Sequence, residues 1–153
     1  MNAYTQNGQA NQYLANSIRS ASPEQLMLML YDGAIRFLAQ AIQAVEQHNP
    51  EQRAMFINRA SAIVTEFSAT LDPSHNPELA ENLQSLYGYM LRRMMEANMK
   101  NTPEPLQECR QLLTDLRMTW AKAIALNKRE AHIAAGRPPI EAAAMPQSFA
   151  AAM

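Results

Sequence analysis

Apolar residues recur at three- and four-residue steps from about residue 23 to about residue 126, and the rhythm breaks three times at clusters of Asn, Asp and Pro. That period predicts four long amphipathic helices. The first of them should run from Pro23 to about Gln47, with Met27, Leu30, Ala34, Phe37, Leu38, Ala41 and Val45 as its inward stripe. The next restarts at Asn49-Pro50 and carries Phe56, Ile57, Ala60, Ile63, Val64, Phe67 and Leu71. Asp72 to Pro77 reads as a loop, because its two prolines lack donors and disfavour helix in the residues before them. A third helix starts near Pro77 and reaches about Met99, with Leu79, Leu83, Leu86, Tyr87, Met90, Met94 and Ala97 inward. After Asn101-Thr102-Pro103-Glu104, a fourth places Leu106, Cys109, Leu113, Leu116, Trp120 and Ala123 on one stripe.

Short connections make consecutive helices antiparallel neighbours, so the expected fold is all-α, an antiparallel up-and-down bundle of four long helices. Asn11 to Arg19 adds a short amphipathic helix that caps one end of it or acts as a movable lid. Residues 1–10 are polar and aperiodic and are expected to be a disordered leader. Residues 11–126 form the bundle domain, and 127–153, which contain Gly136-Arg137-Pro138-Pro139, a flexible tail with room for helix in its first turns.

The start of the first long helix is unusual. Ser22 can serve as N-cap, Pro23 fits N1, and Gln25 at N3 can close a capping box. From Leu26 to Tyr31 every side chain is then apolar or aromatic. One apolar face suffices for packing in a bundle, so either neighbours bury this segment all round or part of it awaits a partner. Leu28, Ile35 and Ile42 repeat every seven residues at roughly 100° from the inward stripe. Met55, Ala62 and Ala69 lie on another face of the next helix, and Leu91 and Met95 off the stripe of the third. These residues either widen the core stripe or form a second apolar surface with grooves.

Composition narrows the function. The 153 residues suffice for one domain, and a net charge of −1 offers no basic excess for nucleic acid. A single cysteine, Cys109, excludes an internal disulfide and fits a reducing compartment; its place in the apolar stripe predicts an inert buried thiol. Neither a signal peptide nor an apolar run of the roughly 20 residues that span a bilayer is present, so a cytoplasmic location is expected. Eleven methionines favour adaptable packing. His48, His75 and His132 belong to no metal-ligand pattern, no Gly-rich phosphate loop occurs, and no nucleophile comes with a base. The expectation is a binding protein without cofactor or metal, not an enzyme.

Three stretches carry a resemblance. Tyr13-Leu14-Ala15-Asn16-Ser17-Ile18-Arg19-Ser20-Ala21-Ser22-Pro23, with Leu26 and Leu28-Met29-Leu30-Tyr31-Asp32-Gly33-Ala34-Ile35, resembles the opening signature of the FliS-type flagellar export chaperones. Glu81-Asn82-Leu83, Leu86-Tyr87, Tyr89-Met90, Arg92-Arg93 and Glu96-Ala97-Asn98 form a second match, and Leu116-Arg117 with Trp120 a third. The chain departs from that pattern at Met118-Thr119, at Pro105 and in its long tail. The resemblance implies a cytoplasmic chaperone that binds the disordered C-terminal region of flagellin, blocks premature polymerisation and aids delivery to the export apparatus. It also implies an N-terminal segment that can lie over the client site. Partner-binding candidates are therefore Tyr13, Leu14, Ile18, Leu28, Tyr31, Ile35, Ile42, Met55, Ala62, Leu91 and Met95. Two alternatives stay open: a regulatory protein that holds another export client such as an anti-sigma factor, and a bundle that self-associates as a homodimer.

Overall fold

The computed structural model describes residues 2–134. Five helices follow in order: α1 (Asn2–Ser20), α2 (Pro23–Glu46), α3 (Pro50–Ala69), α4 (Pro77–Lys100) and α5 (Glu104–Ile133). Helices α2 to α5 pack in a ring, each against its chain neighbours, and α5 closes the ring on α2. With connections this short, the arrangement is an up-and-down four-helix bundle.

Local chemistry accounts for the helix ends. Ser22 is the N-cap of α2, with its Oγ accepting from the Gln25 N–H at 3.2 Å while Gln25 Oε1 accepts from the Ser22 N–H at 3.0 Å. Asn49 and Asn76 cap α3 and α4 with one bond each, their Oδ1 accepting from the Gln52 and Leu79 N–H, and each is followed by a proline whose missing N–H costs the first turn nothing. Asn101 ends α4 in the left-handed region at φ 54°, a conformation that asparagine tolerates well. The α5 start is plainer: Pro103 occupies the cap position and makes no side-chain cap bond.

The core is built from Met27, Ala34, Leu38, Ala41 and Val45 of α2, with Ile57, Ala60, Val64 and Phe67 of α3. Leu83, Tyr87, Met90, Met94 and Ala97 of α4 and Leu106, Cys109, Leu113, Trp120 and Ile124 of α5 complete it. Tyr31 stacks on Phe67 at 4.3 Å between ring centroids, and its hydroxyl accepts from Trp120 Nε1–H at 3.0 Å and meets the Tyr87 hydroxyl at 2.9 Å. One buried polar chain thus ties α2, α4 and α5 together where unpaired groups would be costly. Burial pushes both phenols above their ordinary pKa.

Two helices run beyond the segments that the apolar period marks. The stretch expected as a leader is helical from Asn2; it contains no proline, and Gly8 is the only strongly helix-disfavouring residue in it. Its polarity removes the periodic signal, not the intrahelical hydrogen bonds. At the other end α5 continues to Ile133, seven residues past the expected end of the bundle, through Ala-, Lys- and Glu-containing turns that favour helix. The rest of the expected tail, from residue 135 onward, lies outside the described residues.

Candidate functional site

Helix α2 is apolar on two flanks, and its two neighbours treat them differently. Asp32 accepts from Arg117 of α5 at 2.9 Å, and Trp120 of α5 reaches Tyr31, so one flank faces α5. Leu28 and Ile35, one turn to either side of Asp32, share that flank and are half-buried against the core. The opposite flank faces α3, where Phe37 stacks on Phe56 at 6.3 Å and Ile63 approaches Gly33. Here the packing is incomplete.

On this second flank Leu26, Met29, Leu30, Gly33 and Phe37 of α2, the charged Asp32 and Arg36 of the same helix, and Ile63 of α3 line a largely apolar groove of about 550 Å³, so that Asp32 stands between the two flanks. Leu14 and Ile18 of α1 line it from the other side. They are 53% and 45% exposed, and α1 makes no extended packing against any bundle helix, so it overhangs the groove without filling it. Gly33 keeps the floor low: a Cβ built on it meets only Ile63 Cδ1, at 3.6 Å. Arg36 lines one end, its guanidinium carbon 5.5 Å from the centroid of the Phe37 ring, and Arg59 of α3, outside the lining itself, approaches the same ring at 5.7 Å.

The residues expected to bind a partner do not form one surface. Leu14 and Ile18 line the groove; Tyr13 is 76% exposed on the same helix. Tyr31 and Ile42 are buried in the core, Tyr31 because its hydroxyl finds both partners inside the bundle. Leu28 and Ile35 sit on the α5-facing flank, away from the groove. Met55 and Ala62 are exposed on the outer side of α3; Leu91 is half-buried against the core and Met95 is exposed on α4. The groove-lining Leu30, Phe37 and Ile63 were expected in the core stripes; Leu26 and Met29 fell in the run of which part was expected to await a partner but were not named as partner-binding, and neither was Gly33. Two signals point to them: the run that is apolar on every side, and a glycine in the middle of a helix that has no turn to make.

Chemistry is sparse elsewhere. Cys109 is fully buried, its thiol donates to the Met90 carbonyl at 3.5 Å, and burial pushes its pKa up to about 12, so it is no nucleophile. Among the described residues no His, Cys, Asp or Glu cluster could hold a metal ion, and no helix is long and apolar enough to cross a membrane.

Comparison of the sequence with known proteins identifies its relatives. A family model described as flagellar protein FliS matches residues 5–127. The flagellar secretion chaperone FliS of Bacillus subtilis is 36% identical over 124 residues, which cover 81% of this chain and 92% of that protein. Its counterpart in Salmonella typhimurium is 35% identical over 106 residues, 69% of this chain and 78% of that one. The flagellar secretion chaperone FliSB of Pseudomonas aeruginosa is 34% identical over 103 residues, 67% of this chain and 82% of that one. With a family match over most of the bundle and relatives aligned along most of their own length, the chain belongs to the FliS family of flagellar secretion chaperones, which are not enzymes.

Proposed function

We propose that this chain is a cytoplasmic export chaperone that holds the disordered C-terminal region of flagellin, keeps it from polymerising early and delivers it to the export apparatus. The observation that carries the reading is the groove of about 550 Å³ between α1, α2 and α3, apolar and left unfilled. A disordered client orders only if it gains enough apolar burial to offset its lost conformational freedom, and a preformed apolar cleft supplies that gain. Family membership supplies the export role; the choice of flagellin rests on the resemblance in sequence.

Helix α1 must then yield its place. Full burial of a Leu or Ile contributes about 1.5–3 kcal/mol, and Leu14 and Ile18 are only about half withdrawn from water, so lifting both costs about 2 kcal/mol. That lowers the apparent client affinity by about 30-fold, a cost a long client segment can meet.

Calorimetric titration of the full chain with the C-terminal segment of flagellin from the same organism tests the reading. Saturable binding with a negative heat-capacity change is expected. The variant Met29→Asp places a charge on the groove wall without removing a core residue. It should melt as the parent does and lose binding by at least about tenfold, since a buried unpaired carboxylate costs more than 1.4 kcal/mol. Undiminished binding by a folded Met29→Asp variant would move the client off the groove.

A further inference from the structure

The groove is not apolar throughout, and its polar end tells which client would suit it. Arg36 and Arg59 both lean on Phe37, at 5.5 and 5.7 Å, and Arg59 also covers Phe56 at 5.9 Å. Stacking on one aromatic ring places both planar guanidinium groups within about 6 Å of its centroid. Neither has a carboxylate partner among the described residues. Asp32, one turn before Arg36, lines the same groove, but its carboxylate is engaged by Arg117 of α5. The segment that overhangs the groove cannot help either, because α1 contains no Asp or Glu and ends its last turn with Arg19. The roof therefore meets the apolar wall and leaves the cationic end unanswered.

We propose that Arg36 and Arg59 form a carboxylate clamp at the Phe37 end of the groove. Its occupant is an amphipathic helical segment of the export client that carries an Asp or Glu there and apolar residues toward Leu26. The length follows from α2: Leu26 and Phe37 are eleven positions apart, about 16 Å, which a client helix covers in about three turns. A helix is the fitting form because α1, itself helical, lines the groove with Leu14 and Ile18 at i and i+4. The acidic residue also explains how a client displaces α1. Both present apolar side chains to the same wall, and only the client adds charge-assisted hydrogen bonds to the two guanidinium groups. This inference rests on the groove being the client site.

The test is a double-mutant cycle by titration calorimetry at low salt. The full chain and its Arg36→Gln/Arg59→Gln variant are each titrated with the C-terminal segment of flagellin and with that segment's Asp and Glu changed to Asn and Gln. Both arginines are exposed, so the variant should melt with the parent; the single variants are measured alongside it. Two rim contacts of this kind are expected to be worth about five- to tenfold in affinity. The parent should prefer the acidic segment by that factor, the variant should show no preference, and added salt should erase the difference. Equal binding of both segments by the parent, or an undiminished preference in the variant, overturns the clamp while the groove stands. No binding of either segment to the folded parent overturns both.

Discussion

Gly33 offers the sharpest separation of stability from binding. It lies mid-helix in α2, is buried, and its backbone is not in the left-handed region, so its own conformation does not call for glycine. A helix interior disfavours glycine relative to alanine by about 1 kcal/mol. The methyl of a Gly33→Ala variant would meet Ile63 Cδ1 at 3.6 Å, an ordinary contact that adds a little attraction and no clash. The substitution should therefore stabilise the fold by about 1 kcal/mol and raise the melting temperature by about 2–4 °C. Gly33→Leu keeps the helix gain, since leucine forms helix nearly as well as alanine, but sends its branched end into the groove. Thermal melts followed by circular dichroism, with flagellin titrations on the same samples, read the two effects apart. The expected pattern is higher melting for both, near-parental client binding for alanine, and at least about tenfold weaker binding for leucine, which corresponds to 1.4 kcal/mol of displaced contact. A lower melting temperature for Gly33→Ala would mean that the space above the glycine is not free. A stabilised Gly33→Leu protein that binds its client normally would mean that the client sits elsewhere, and the glycine would need another reason.

Three further outcomes are expected. Tyr31→Phe removes the acceptor for the buried Trp120 indole N–H and the partner of the Tyr87 hydroxyl, at a cost of about 1–3 kcal/mol; denaturant unfolding reads it, and no change would show that the polar chain carries no stability. Stability should fall in alkali, because burial raises the Cys109 thiol from 9.0 to about 12 and lifts Tyr31 and Tyr87 above 10.0. The unfolded chain loses these protons first, so stability is whole below about pH 9 and falls above it by as much as about 1.4 kcal/mol per pH unit for each such group. Melting temperatures across that range check this, as does a Cys109 thiol that resists aromatic disulfide reagents until the protein unfolds. Deletion of residues 2–20 removes the roof but no core residue, so client affinity should rise by about 30-fold and apolar dyes should bind; weaker client binding would make α1 part of the site rather than its cover.

Much of the bundle is written in local pattern. Ser22, Asn49 and Asn76 mark three helix starts because capping is a contact between residues three apart, and the stripes of α4 and α5 are visible because each has one apolar face. The phase of α2 is not local. With both flanks apolar, its period shows that it is buried without showing which side lacks a neighbour. That is decided by residues far along the chain: Trp120 and Arg117 of α5 claim the Tyr31 and Asp32 side, and Ile63 of α3 stops short of covering the Gly33 side. Tyr31 shows the same limit. A tyrosine in an apolar run looks like an interface residue, with an apolar body and a polar tip. Only partners 56 and 89 positions away make it core.

The looseness of α1 then acquires a physical sense. A run that is apolar on all sides cannot stand bare without inviting association, so some cover is needed. Yet every contact the cover makes is subtracted from the client's affinity. A helix that filled the groove at about 5.5 kcal/mol would weaken client binding about 10⁴-fold, whereas one that rests on Leu14 and Ile18 at about 2 kcal/mol weakens it about 30-fold. The cationic end tips the exchange further, because Arg36 and Arg59 gain nothing from a helix without acids and remain available to a client that has them. A cover that shields the wall, ignores the charge and leaves about 550 Å³ empty beneath it is one that a better-matched helix can replace without the bundle having to move.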